Sequence, residues 1–274
     1  MPEAIEVYLS AEAIRPLVIN KVISDAYSTP NSRYGDSKII NKLGPEYKKF
    51  TESYPISVKD VKVKGKFMYW KFTDNWSMFC TFGMSGQWSP NVSKHPCFVF
   101  EFTDGSKVYF NDTRHFGTIK FSSNPKELNH KLNELGWDAF QTPYQEHKKF
   151  ILSKLRSNKP IGQILMDQSV FAGVGNYIRA EALYLSKISP WRSSNSLSES
   201  EIDSLCNSIV HVMNESYKYQ GATIQTYKTA YGEDGNFSNF FKVYGRKADP
   251  LGNSIITENT PEGRTIHWCP SIQQ

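Results

Sequence analysis

At 274 residues, 39% hydrophobic and 22% charged, the chain is long enough for two domains, each with its own core. Its formal charge of +5, from 32 Lys+Arg against 27 Asp+Glu, allows a polyanionic partner without requiring one. Four cysteines (Cys80, Cys97, Cys206, Cys269) stand far apart with no C-x-x-C pair, which argues against a zinc ribbon and a dense disulfide scaffold and fits a reducing compartment.

In chain order, Met1-Pro2-Glu3-Ala4-Ile5-Glu6 comes first. Trimming of Met1 would leave Pro2 with a free secondary amine, part of it unprotonated near neutral pH, where ordinary α-amino groups titrate at about 7.7–8.0. A secondary amine that attacks a sugar aldehyde carbon gives a cationic iminium directly. Glu3 and Glu6 put two carboxylates at the same end for proton transfer. On these six residues alone the ordinary reading, a solvated terminus, is the stronger one. Val7 to Ile19 then reads as an amphipathic helix, with Pro16 bending or ending its last turn. Short strand-like runs follow: Val61 and Val63 among lysines, Phe67 to Phe72, Ser77 to Thr81, Phe98 to Phe102, Lys107 to Asn111 and Thr118 to Ser122. Asp104-Gly105 is a hairpin signal. Strands joined by turns without intervening helices predict an antiparallel sandwich or barrel. Glu127 to Leu135 gives a helix face of Leu128, Leu132 and Leu135, stopped by Gly136.

After Trp137 the pattern changes. Asp138 to Glu146 is polar, contains Pro143 and reads as a linker. Helices are expected over His147 to Arg156, Ile161 to Gln168 and Asn176 to Ser186. Ser198 with Glu201 forms a capping box for a helix through Tyr217, which buries Ile202, Leu205, Ile209, Val212 and Met213. Phe240 to Tyr244 and Thr265 to Cys269 read as the strands of a closing hairpin. The fold class is therefore α+β, with a β-rich N-terminal domain and a helical C-terminal one. No apolar run is long enough to span a bilayer, and neither a leader nor a repeat is apparent, so a soluble, intracellular protein is expected.

The stretch Lys159 to Pro190, KPIGQILMDQSVFAGVGNYIRAEALYLSKISP, places Gly173 and Gly175 in a turn before a helix opening at Asn176. Glycines permit close backbone approach, and the unpaired amides of a helix start suit a phosphate. A generic helix-Gly-x-Gly-helix says little, but this string resembles the helix–two-turn–helix of the formamidopyrimidine-DNA glycosylase/endonuclease VIII superfamily. Further landmarks stand in register: Pro2-Glu3 with Glu6, Gly65-Lys66, "FGMSG" at Phe82 to Gly86, "RHFG" at Arg114 to Gly117, "VYGRKADP" at Val243 to Pro250 and "GRTIHWCPSIQ" at Gly263 to Gln273.

The resemblance implies a bifunctional DNA glycosylase/AP lyase of base excision repair. Pro2 would attack C1′, Glu3 would protonate the opening sugar oxygen, with Glu6 beside them, and Lys66 would pair with a phosphate next to the lesion. β-Elimination and then δ-elimination would cut the strand through one covalent intermediate. A base under chemical attack leaves the stack, and its vacancy must be filled. Met84, Arg114 and Phe116 fit that wedge. Asn176, Gly173 and Gly175 would hold backbone phosphate, as would Arg264 from the hairpin. The implied layout is 1–137 as the β-sandwich catalytic domain, 138–146 as linker, 147–239 as the helical DNA-binding domain and 240–274 as the hairpin finger. Damaged DNA, in duplexes and also as single strands, is the implied partner of a monomer.

Two departures stand out. Most of the family closes on a four-cysteine zinc finger. Here Leu251 follows Pro250 at the first ligand position, the second cysteine's segment is missing, and Ile272 stands at the last, which leaves Cys269. One thiol, even with His267 on its strand face, cannot build a tetrahedral site, so a zincless finger and no cofactor are expected. At positions four and five, Ala4-Ile5 replaces the family's usual glycine or leucine followed by proline. Gln225, in the Gly221 to Tyr227 stretch, stands where guanine-lesion enzymes carry an arginine. With the missing zinc ligands, it leans the reading toward the Nei-like branch, oxidised pyrimidines and a likeness to enzymes of large DNA viruses. The alternatives are an enzyme favouring oxidised purines and a damage-binding protein without catalysis.

Overall fold

The computed structural model describes residues 2–37, 42–224, 227–260 and 263–274. They fall into two units. One comprises Met1–Pro2, Glu6–Asn133 and Ala222–Gly235, the other Glu3–Ile5, Glu134–Gly221 and Asn236–Gln274. The chain thus passes between units within its first six residues, and the stretch after Gly221 returns to the first.

Helix α1 (Ala4–Val18), in the first unit from Glu6 onward, starts earlier than the hydrophobic pattern predicts and contains Pro16 without stopping there. Its apolar face, including Val7, Ala11, Ile14 and Val18, is buried. Then come β1 (Val22–Ser28), α2 (Pro45–Glu52), β2 (Ile56–Lys64), β3 (Phe67–Phe72), β4 (Ser77–Thr81), β5 (Gln87–Ser89), β6 (Pro96–Phe102), β7 (Lys107–Asn111), β8 (Thr118–Ser122) and α3 (Pro125–Glu134). The strands run β5-β7-β6-β1-β2-β3-β4-β8. The two four-strand halves are joined by a short β1–β2 pairing, Val22 opposite Ser57 and Ile23 opposite Ile56. Around that seam the halves fold face to face. Trp70 of β3 meets Trp88 of β5 at 4.8 Å and Phe100 of β6 at 5.1 Å between ring centroids, and Phe98 of β6 meets Phe121 of β8 at 5.9 Å. Large rings bury much apolar area each, so a sandwich core this aromatic needs few residues. Phe50 of α2 closes it, 4.5 Å from Phe121.

The second unit contains β9 (Trp137–Asp138), α4 (Tyr144–Lys154), α5 (Ile161–Ile164), β10 (Phe171–Ala172), α6 (Asn176–Leu185), α7 (Glu199–Lys218), β11 (Ile256–Asn259) and β12 (Thr265–Trp268). The stretch read as a linker carries structure: Asp138 pairs with Ala172 in a parallel bridge of β9 and β10, and its side chain accepts from the Gln141 amide at 2.6 Å. The capping box of Ser198 and Glu201 forms as predicted, and the five apolar residues assigned to α7's inner face are all buried. The closing hairpin is built differently. Its strands are β11 and β12, paired from Ile256–Trp268 to Asn259–Thr265, and Phe240 to Tyr244 is not a strand. Glu181 of α6, buried, accepts the backbone amides of Lys242 at 2.9 Å, Val243 at 3.0 Å and Tyr244 at 2.8 Å, which takes them out of any ladder. Burial pushes the Glu181 carboxyl above its usual range, against the pull of those amides.

Candidate active site

Pro2 and Glu3 are not a solvated terminus. Pro2 is buried, Glu3 is 2% exposed, and the Ala4 amide donates to the Gly173 carbonyl at 3.2 Å. The Glu3 carboxylate sits on the first turn of α6, accepting from Tyr177 N at 3.0 Å and Ile178 N at 3.3 Å. The helix dipole favours a negative charge there. Gly175, just before α6, has no room for a side chain: a Cβ would lie 2.2 Å from Glu3 Cδ and 2.4 and 2.5 Å from its oxygens. A carboxylate of the chain itself therefore takes two of the amides at this helix start, those of Tyr177 and Ile178.

Asn176 is also engaged within the protein. Its Nδ2 donates to the Thr265 carbonyl at 3.1 Å, and its Oδ1 accepts from Arg179 at 2.7 Å. Arg179, 2% exposed, adds bonds to the Thr265 carbonyl at 2.8 Å and the Gly162 carbonyl at 3.1 Å. These two residues tie α6 to β12 one position from Arg264, whose side chain is exposed. The hairpin tip is closed by Thr260 N to Arg264 O at 2.8 Å. Tyr244 packs edge-on to His267 at 4.9 Å; burial first, and then the Glu3 charge, pushes its phenol up.

In the first unit, Lys66 is half-buried at the β2–β3 turn beside Gly65. Glu6, 1% exposed, accepts the Ala222 amide at 2.9 Å and so anchors the stretch after Gly221. Ser89 of edge strand β5 holds the same stretch through the Ala230 carbonyl at 2.7 Å. Gln225 and Thr226 lie outside the described residues. Met84 is half-buried, while Arg114 and Phe116 are exposed, with the Arg114 guanidinium 5.2 Å from the Phe116 ring. Their two loops are knit together. At Gly83 (φ 57°) a Cβ would lie 2.6 Å from the Phe116 backbone. Asp112, 1% exposed, accepts from the Ser85 hydroxyl, from Gly117 N at 2.7 Å and from Arg114 N at 3.2 Å. Sequence reading passed over Asp112, Arg179 and Glu181. The only signal for them was a charged residue inside an otherwise apolar or turn-forming run.

The model of the formamidopyrimidine-DNA glycosylase N-terminal domain matches residues 1–119, and that of the family's H2TH domain matches 135–228. The formamidopyrimidine-DNA glycosylase of a Bacillus cereus strain is 30% identical over 287 residues, covering 100% of this chain and 99% of that protein. The chain belongs to this family. The Exiguobacterium formamidopyrimidine-DNA glycosylase is 32% identical with both chains fully covered. A crystal structure of a Lactococcus lactis mutant enzyme with Fapy-dG-containing DNA superposes with a TM-score of 0.84 at 25% identity, again over both whole chains. A formamidopyrimidine-DNA glycosylase is a DNA N-glycosylase with AP lyase activity, and that is this chain's enzyme class.

The lean toward oxidised pyrimidines is overturned. The relatives matched along the full chain are formamidopyrimidine-DNA glycosylases, and the superposed enzyme is in complex with Fapy-dG-containing DNA. The lean drew on Gln225, which lies outside the described residues, and on lost zinc ligands, which bear on how a hairpin is held and say nothing of which base is read. The family's four-thiolate metal does not fit the residues present. Leu251, at the first ligand position, is 75% exposed, Ile272 packs into the apolar cluster around Cys269, and the His267 ring lies against Tyr244. Among the described residues no three His, Cys, Asp or Glu side chains cluster as ligands. No described helix is long and apolar enough to cross a membrane.

Proposed function

We propose that this chain excises oxidised purines of the formamidopyrimidine type from duplex DNA and then cuts the strand, with Pro2 as nucleophile once Met1 is removed. The observation that carries the reading is the seating of Glu3 on the Tyr177 and Ile178 amides, next in sequence to a buried Pro2. An incidental terminus has no reason to bury a carboxylate on a helix start, because desolvating it is costly unless donors are supplied.

The Pro2 nitrogen attacks C1′ and the C1′–base bond breaks, with the electron pair leaving on the base. The amide donors favour Glu3 as carboxylate. It takes the proton released by the attacking amine and passes it to the ring oxygen as C1′–O4′ opens. The resulting iminium draws electrons from C2′, which loses a proton, and the 3′ phosphate leaves. A second elimination releases the 5′ phosphate. Lys66 pairs with a phosphate flanking the lesion, Arg264 with another, and Met84, Arg114 and Phe116 fill the place of the extruded nucleotide. The finger works without a metal.

Duplexes carrying a single Fapy-dG, 8-oxoguanine or oxidised pyrimidine, compared in single-turnover cleavage, test the substrate. Faster cutting of the purine lesions is expected. Equal or faster cutting of the pyrimidine refutes it.

A further inference from the structure

Where a metal-bound finger would gather thiolates, this chain gathers hydrogen-bond donors around one carboxylate. Asp249, 5% exposed, accepts from Leu251 N at 2.9 Å and Asn253 N at 2.8 Å through Oδ1. Its Oδ2 takes the Tyr184 hydroxyl at 3.0 Å and Asn253 Nδ2 at 3.0 Å, with the Cys269 thiol 3.9 Å away. The four donors come from the turn that leads into β11 and from helix α6, and the thiol comes from the residue that follows β12. Burial works against the charge, but the Asn253, Tyr184 and Leu251 bonds outweigh it and hold the carboxyl below its usual range.

The surroundings make Asp249 a polar fastening at the hairpin's base. Cys269, Val243, Ala180 and Tyr184 form an apolar cluster there, with Ile255 and Ile272 packed on it. At the other end of β12, the Thr265 carbonyl is gripped by Asn176 and Arg179. A hairpin fixed to α6 at both ends presents its tip, and hence Arg264, in one place. Apolar packing alone would leave it free to slide, since dispersion contacts carry little direction while a carboxylate with four donors does.

We infer that Asp249 is a positioning residue for DNA binding: its carboxylate sets the hairpin's base against α6 and so determines where Arg264 meets the phosphate backbone. This rests on the reading of Arg264 as a phosphate contact.

The test uses the full-length protein and a duplex with a tetrahydrofuran abasic-site analogue, titrated across salt concentration. Arg264→Ala is expected to weaken binding about tenfold, as for one lost charge-assisted bond, and to lower the salt slope by about 0.9. Asp249→Asn replaces an acceptor with an amide that faces donors, and is expected to give the same slope change. Combined with Arg264→Ala it should cost nothing further. EDTA should leave wild-type binding unchanged. If Arg264→Ala lowers the slope and Asp249→Asn does not, if the two losses add in full, or if EDTA abolishes binding and zinc restores it, the inference falls. If Arg264→Ala itself binds as wild type does, the underlying reading of Arg264 falls instead. Thermal melting checks that Asp249→Asn folds. Should it not, Tyr184→Phe, which removes one donor from α6, carries the test, and an unchanged slope with it overturns the proposal.

Discussion

Gly175→Ala puts the smallest side chain against Glu3, the group proposed to carry the proton. The backbone at Gly175 (φ −128°, ψ −159°) is open to alanine, so the substitution adds no torsional strain. Its Cβ would stand 2.2 Å from Glu3 Cδ, whereas carbon atoms settle at about 3.5 Å, so the carboxyl must retreat by about 1.3 Å. From 3.0 and 3.3 Å, its bonds to Tyr177 N and Ile178 N then stretch past useful length. Hydrogen bonds to a charged group contribute about 1.5–3 kcal/mol, and a misplacement of about 1 Å in a catalytic group lowers a rate roughly 100-fold. Single-turnover cleavage of a lesion duplex should therefore slow about 100-fold, with affinity for the same duplex much less affected. Glu3→Gln in the Gly175→Ala background should add almost nothing, since both act through one carboxylate. A Gly175→Ala protein that cuts at close to the wild-type rate would refute the assignment of Glu3.

Other outcomes follow from the same geometry. Asp112→Ala removes the acceptor of the Gly117 amide and of the Ser85 hydroxyl, leaves the Arg114 amide on Ser85 Oγ at 2.9 Å, and so loosens the tie between the two loops proposed to fill the vacated place. Discrimination between bases opposite the lesion should fall, while cutting at an abasic site in single-stranded DNA persists; equal losses on both would show general unfolding instead. Glu201 is held down to about 2, first by Arg192 and then by the Ser198 amide. A carboxyl depressed in the folded state stabilises above its unfolded range of about 4.3 and loses that contribution as pH falls toward about 2. Because the pair is partly exposed, Glu201→Gln should cost only about 1 kcal/mol at neutral pH, mostly from the capping box, and make the protein's stability less sensitive to acid in that window. Thermal melts at pH 7 and pH 3 compare the two proteins, and identical acid sensitivity contradicts the assignment. Glu6→Ala frees the Ala222 amide, and proteolysis of the stretch after Gly221 should quicken; an unchanged cleavage pattern would deny Glu6 that role.

Much of the sandwich is legible because its strands carry their own signals. Phe67 to Phe72, Ser77 to Thr81, Lys107 to Asn111 and Thr118 to Ser122 stand within the bounds their alternation and turns imply. Strand β1 escapes notice although its burial alternates, because its partners are Ile56–Ser57 and Phe98–Phe102, far along the chain. Helix α2 shows only Tyr47 and Phe50 as a buried face, too little for a periodic signal. Phe240 to Tyr244 looks like a strand and is not one, since its amides go to Glu181 and Phe241 stacks on Tyr177 at 5.4 Å. At the site, Pro2, Glu3 and the glycines could be read locally. Asp112, Arg179 and Asp249 could not, because beside its local bonds each holds a partner distant in sequence: Ser85, Thr265 and Tyr184 respectively. The bonds of the Asn176 side chain to Thr265 and Arg179 were likewise not legible, because β12 lies far along the chain.

Borohydride reduction during reaction with an abasic-site duplex, followed by mass spectrometry of the trapped peptide, reaches the central claim most directly. The expected product is a single deoxyribose adduct on the nitrogen of Pro2, in a chain that has lost Met1. An adduct on a lysine, or strand cutting by protein that still carries Met1, would contradict it.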